Sequence, residues 1–295
     1  MRSACTPSLL VMRLHSISKY KYYKCGIKYM LLSNLEYVPL RLLRKFILTE
    51  RLLKNINRIL PYYVTNQNQV DPKPIVDQYE KYLFAEDIIL KGKTILEIGT
   101  GATNSTGYEM AARKWGYIHL MEPYAKFDKG LDDLLLSRLA SPRNYDKQIL
   151  KSQVQRLGEL KAIENQSIDL ILSNSVLEHV LDPQKLFSEL KRVLRNDGVM
   201  LHIVDYRDHF FKYPYHFLQF SKKNWDRFLN PGDLPVWRLD DSLQIIKELS
   251  LSVQIIEQKV DSEIFDRIKP NISNDYDLNN PFIGVSFAVL QVKKK

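Results

Sequence analysis

From about residue 75 onward, apolar runs of strand length alternate with stretches of helical period. This alternation constrains the fold more than any other feature of the chain. The runs lie at 94–98, 118–122, 168–173 and 199–204, with a further strand expected within 149–156 and two more at 252–258 and 282–292. Helices are expected at 77–85, 105–115, 131–139 and 241–249, the second with Asn104 or Ser105 as cap and Gly116 just past its end. One more helix carries full punctuation: Asp182 caps it, Pro183 takes its first position, and Gly198 ends it. Its apolar face is Leu186, Leu190, Val193 and Leu194. Strands separated by helices predict an α/β domain with a mostly parallel sheet covered on both faces.

A sheet of this kind binds ligands beyond the carboxyl ends of its strands, where the strand order reverses. The first strand ends in the turn Glu97-Ile98-Gly99-Thr100-Gly101. Glycine there permits a tight turn and a close approach by a ligand, and the next helix points its free N–H groups at the site. A dinucleotide fingerprint would need a glycine five residues after Gly99; that residue is Asn104. An acid two residues before the first glycine suits a cationic ligand better than a pyrophosphate. Glu122 ends the second strand, where a carboxylate can accept both ribose hydroxyls of an adenosine.

The stretch 95–128 resembles the first two motifs of class I S-adenosylmethionine-dependent methyltransferases. The stretch 168–198 resembles their fourth-strand region, in the branch with a Leu-Glu-His-Val turn, here Leu177–Val180. The likeness covers roughly 75–292 and implies a Rossmann-like, seven-stranded, mostly parallel sheet. It also implies S-adenosyl-L-methionine as cofactor. By position, Glu97, Gly99 and Gly101 would face the methionine end, Glu122 the ribose, and Ser173 and Asn174 the donor near its methyl group. Two features depart from the family: Thr103 replaces a common third glycine, and the stretch Arg156-Leu157-Gly158-Glu159 offers no clearly placed acid for the adenine amino group.

The donor arrives activated, so the enzyme chiefly positions the acceptor, and a general base helps when that acceptor is a hydroxyl. Glu178 and His179 follow the fourth strand, and Asp205, Asp208 and His209 follow the fifth. The expected catalytic residues are His209, His179 and Asp205, because a histidine titrates near neutrality. No metal is expected: some quinone O-methyltransferases of this branch pair the Glu-His dipeptide with a glutamate three residues earlier, and that residue here is Ser175. Nine aromatic residues between Tyr206 and Phe228 read equally as an acceptor lid or as a satellite core. A base-modifying turn of the Asn-Pro-Pro-Tyr type is absent after the fourth strand, and the only thiols, Cys5 and Cys25, lie outside the motif region.

Charge divides the chain. Residues 1–60 hold twelve Lys/Arg and two acids, so that segment accounts for the whole net charge of +9. Leu35, Val38, Leu42, Phe46, Leu53, Ile56 and Leu60 form a helical stripe there. It is expected to pack on the domain with its basic face in water. Residues 1–74 therefore read as a basic helical extension and linker, and 75–295 as the methyltransferase domain with an aromatic insertion at about 206–240. The leading function is O-methylation of a small molecule or glycan. RNA methylation through the basic segment and a non-catalytic binding module are the alternatives. The expected setting is cytoplasmic, with peripheral membrane contact through 33–60 as an elaboration and no transmembrane segment; the run 5–12, broken by Pro7 and Ser8, makes a poor signal peptide.

Overall fold

The computed structural model describes residues 26–47, 71–208, 213–230 and 237–295. The N-terminal helix α1 spans Gly26–Phe46 and α2 spans Lys73–Ala85. The domain then runs β1 (Lys93–Ile98), α3 (Ser105–Ala112), β2 (Gly116–Met121), α4 (Lys129–Ala140), α5 (Lys147–Ser152), β3 (Val154–Leu157) and β4 (Ile168–Asn174). After these come α6 (Pro183–Val193), β5 (Leu194–Asp205), α7 (Leu239–Glu248), β6 (Leu251–Lys259), α8 (Ser262–Ile268) and β7 (Phe287–Lys294). The seven strands form one sheet in the order β3-β2-β1-β4-β5-β7-β6. The first five are mutually parallel, and β7 runs antiparallel between β5 and β6. This is the Rossmann-like sheet, and its order reverses between β1 and β4.

The central strands are buried on both faces, which is why they read as continuous apolar runs. One core packs Ile98, Ile171, Met200 and Leu290 under Phe187, Leu190 and Val193 of α6 and Leu239 and Ile246 of α7. The other packs Ile95, Ile118, Leu172 and Leu201 under Val76, Tyr79 and Leu83 of α2 and Met110 and Ala111 of α3. Asp182 caps α6 as expected, its carboxylate accepting from the Lys185 amide. At Gly116 the chain enters β2 with φ +140, and a Cβ would collide with the Lys93 carbonyl of β1. Gly116→Ala is therefore expected to destabilise the fold by about 2–3 kcal/mol, through strain and forced strand separation, measurable by denaturant titration.

Three boundaries differ from the sequence reading. Helix α6 ends at Val193, since Leu194 is already extended; Gly198 lies where β5 rejoins β4 after a shift in register. Helix α3 stops at Ala112, and Gly116 opens β2 instead of capping the helix. The last strand starts at Phe287, because the carbonyls just before it are taken by side chains. Arg238 donates to Ile283 O and Val285 O, and Tyr215 donates to Gly284 O.

The stripe on α1 is also divided between protein and surroundings. Ser33, Tyr37 and Arg41 are the buried positions, while Leu35 and Phe46 are exposed. Val38 and Leu42 pack partly against the aromatic core; Leu53, Ile56 and Leu60 lie outside the described residues. The helix is held by polar ties. Arg41 and Tyr37 donate to the Asp208 carboxylate, the Arg41 guanidinium lies over the Trp225 ring, and Tyr213 donates to Glu36. Asn34 donates to Gln219, and Ser33 pairs with His216.

Candidate active site

One half of the candidate site is built from the ends of β1, β2 and β4. Gly99 and Gly101 both adopt positive φ, and a Cβ on Gly99 would collide with Val176. Glu97 lies beneath this loop, buried, accepting from Tyr79 and Thr106. Burial pushes its carboxyl up to about 7, against those hydrogen bonds. Thr100 Oγ1 in turn donates to Thr103 O and meets Thr106 Oγ1. Glu97 thus braces the glycine turn from below.

Glu122 lies at the mouth of the turn. Its Oε1 accepts from the amides of Tyr124 and Ala125, and its Oε2 accepts from Gly101 N at 3.0 Å. An ionised carboxylate offers about four lone-pair sites, so Oε2 can still take a hydroxyl proton, as a ribose would present. Arg156, at the end of β3, donates to Gly101 O at 2.6 Å and to Asn104 Oδ1, with Phe127 under its guanidinium. The Arg156 segment, which offered no placed acid, supplies a cation that fixes the loop carbonyls. Ser173 is fully buried and its hydroxyl meets His202 Nδ1 at 2.8 Å, which leaves its backbone at the strand end. Asn174 is on the rim, and its amide donates to Gln78 of α2.

The second half of the site is a small pocket at the carboxyl ends of β4 and β5. Glu178, Asp205, Arg207, Asp208 and the rings of Tyr206, Phe217, Trp225 and Trp237 line it. Each ring is fixed. Tyr206 donates to Ser242, and Trp237 Nε1 donates to Val180 O. The turn Leu177–His179 is one turn of 3-10 helix, and it turns Glu178 inward, 4% exposed, while His179 faces solvent. Burial, with the Asp205 charge adding to it, lifts the Glu178 carboxyl to about 8. Asp205 is chelated by Arg207 at 2.8 and 2.5 Å. His209 lies outside the described residues. Among the described residues, no group of three side chains is arranged to hold a metal ion.

Residues 96–202 match the family model described as a methyltransferase domain. The match spans β1 to β5 and so contains the glycine turn, Glu122 and the Glu178 turn. Residues 96–202 form a methyltransferase domain on the Rossmann-like sheet. S-adenosylmethionine is the methyl donor of such domains, and the site fits it: two positive-φ glycines and an acid with accepting capacity at the end of β2.

No curated protein matches the sequence. Solved structures similar to this methyltransferase include phosphoethanolamine N-methyltransferase 2 of Haemonchus contortus in complex with S-adenosyl-L-methionine. That structure is 15% identical, with 74% of this chain and 52% of that one covered and a TM-score of 0.48. This methyltransferase thus spans about half the length of the Haemonchus enzyme. The YcgJ protein of Bacillus subtilis is 17% identical, with 74% and 99% covered and a TM-score of 0.46. Geranyl diphosphate methyltransferase in complex with the same donor is 14% identical, with 73% and 83% covered and a TM-score of 0.45.

Tyr79, Gln78 and Arg156 were not legible as site residues, because each reaches Glu97, Asn174 or the glycine turn only through tertiary packing. Glu122 carries a direct test. Glu122→Ala removes the accepting group and frees the Gly101 amide, so donor affinity is expected to fall about 10–100-fold in calorimetry.

Proposed function

We propose that this methyltransferase transfers a methyl group to a hydroxyl of a small molecule or glycan, with Glu178 as the general base. The observation that carries this reading is the pocket: a buried carboxyl raised to about 8, beside Asp205 and walled by four aromatic rings. The donor supplies a methyl group already activated by its sulfonium. Glu178 would take the proton that the acceptor hydroxyl releases as the new O–C bond forms and the S–C bond of the sulfonium breaks, its electron pair passing to sulfur so that S-adenosylhomocysteine leaves. Burial raises the basicity of that carboxylate toward the working pH, where a base is most effective. Rings stacked around a sugar or an aromatic acceptor would exclude water and hold the acceptor in line.

Asp205, rigid against Arg207, would orient the acceptor or hold Glu178. His179, with its ring toward solvent, would act at the rim, and His209 remains a candidate base from the adjoining loop. Glu97 and Gly99 would shape the donor loop, with Gly101, Glu122, Ser173 and Asn174 lining it. The test is transfer of labelled methyl from S-adenosylmethionine onto cell-extract fractions separated into glycan, lipid, RNA and small molecules. Label in an alkali-stable ether of a glycan or small molecule supports the reading. Label confined to RNA or to amine nitrogen overturns it.

A further inference from the structure

Helix α1 leaves a second apolar face turned outward. Leu35, Leu43, Phe46 and Ile47 are 66%, 36%, 63% and 61% exposed, and Pro39 between them is exposed as well. Their spacing places them along one side of the helix. The buried Ser33, Tyr37 and Arg41 are offset from them by two residues, about 200° around the axis, and so occupy the opposite side. An amphipathic helix ordinarily buries its apolar residues; this one anchors itself by hydrogen bonds, an ion pair and the partial packing of Val38, Leu40 and Leu42, and still presents Leu35, Leu43, Phe46 and Ile47 to the surroundings.

The stripe has basic neighbours. The turn Trp225–Leu229, which continues Lys222–Asn224, packs against α1, and Lys45 donates to Asp226 O. This turn exposes Phe228, 41%, with Lys222, Lys223 and Arg227 around it against the single acid Asp226. Glu36, the acid of α1, accepts from Tyr213 of the body. Residues 1–60, which include α1, hold twelve basic and two acidic residues.

We propose that α1 and the turn 222–229 form an interfacial docking surface for an anionic membrane, with the apolar stripe seated among the acyl chains and the basic residues at the headgroups. Exposed apolar side chains combined with a strong positive charge are the two features that such binding requires. A soluble acidic partner would match the charge and leave the stripe unexplained, whereas a bilayer accounts for both. The inner face of the same helix is tied to Asp208 and Trp225, which line the acceptor pocket. Docking therefore brings that pocket to within about one helix diameter, ~10 Å, of the lipid surface. The acceptors best placed to reach it are amphiphilic ones held in the bilayer.

Flotation of the full chain with vesicles tests this. Partition onto phosphatidylcholine–phosphatidylglycerol vesicles, with little onto phosphatidylcholine alone, is expected. A Leu35→Ser/Leu43→Ser/Phe46→Ser triple variant should weaken partition more than about tenfold with its melting temperature and donor affinity unchanged. In a separate Phe46→Trp reporter, the indole emission should shift to the blue on vesicle addition. Absence of partition onto anionic vesicles overturns the proposal. So does partition that the triple variant leaves intact, which would assign binding to charge alone. A dimer in light scattering that the triple variant dissolves, without vesicle binding, would instead assign the stripe to a second copy of the chain. Tight RNA binding without vesicle binding would assign the basic residues to nucleic acid.

Discussion

Glu178→Gln is expected to lower methyl transfer by about 100-fold or more while leaving S-adenosylmethionine affinity within about twofold. The amide keeps the size of the side chain and cannot take a proton. The pH profile separates this from a packing effect. The carboxyl is lifted to about 8 by burial, and a base works only when deprotonated. Wild-type turnover should therefore rise with pH until it levels off above about 8. The residual turnover of the variant should lose that rise. A variant with wild-type turnover would remove Glu178 from the chemistry and return attention to Asp205 and His209. His179→Ala, at a solvent-facing ring, is the control whose effect should be much smaller.

The second large effect belongs to Arg41. Its pair with Asp208 is buried on both sides, and removing one member of such a pair strands the other charge. Arg41→Ala should destabilise the protein by about 3–5 kcal/mol in urea titration. The double change Arg41→Met/Asp208→Leu removes both charges and should recover much of that loss. A cost below 1 kcal/mol for the single change would show that α1 is not fastened by this pair. Because Asp208 lies between β5 and the acceptor pocket, the single variant should also raise KM for the acceptor more than it lowers kcat.

The legibility of the chain in its sequence follows from distance along it. The donor half is local: a strand, a glycine turn and a helix within some twenty residues, followed by Glu122 one strand later. Periodicity and glycine placement suffice for such a unit. The pocket half is assembled from the turn Leu177–His179, the residues 205–208 after β5, and the rings at 217, 225 and 237, with Tyr37 and Arg41 of α1 holding Asp208. Nothing local announces that they meet. Within the 3-10 turn, whether Glu178 or His179 points inward depends on how Val176 and Leu177 pack, and the general preference for histidine as a base favoured the wrong side of the turn for burial.

The helix α1 misled for a related reason. Counting apolar positions assumes that they face the protein, yet the body opposite α1 presents Asp208, His216, Tyr213 and Trp225. Those groups are better met by Tyr37, Ser33 and Arg41 than by leucines. The aromatic segment was legible as either lid or satellite core, and its rings form a core that reaches the pocket wall. Tyr213, Tyr215, Phe217 and Trp225 pack with Tyr37, Phe265 and Ile268, while Phe217 and Trp225 also line the pocket.

Titration calorimetry of the folded chain with S-adenosylmethionine tests the central claim most directly. One donor per chain, bound in the micromolar range and weakened by Glu122→Ala, is the predicted result. No binding heat at millimolar donor, from protein that melts cooperatively, would contradict it.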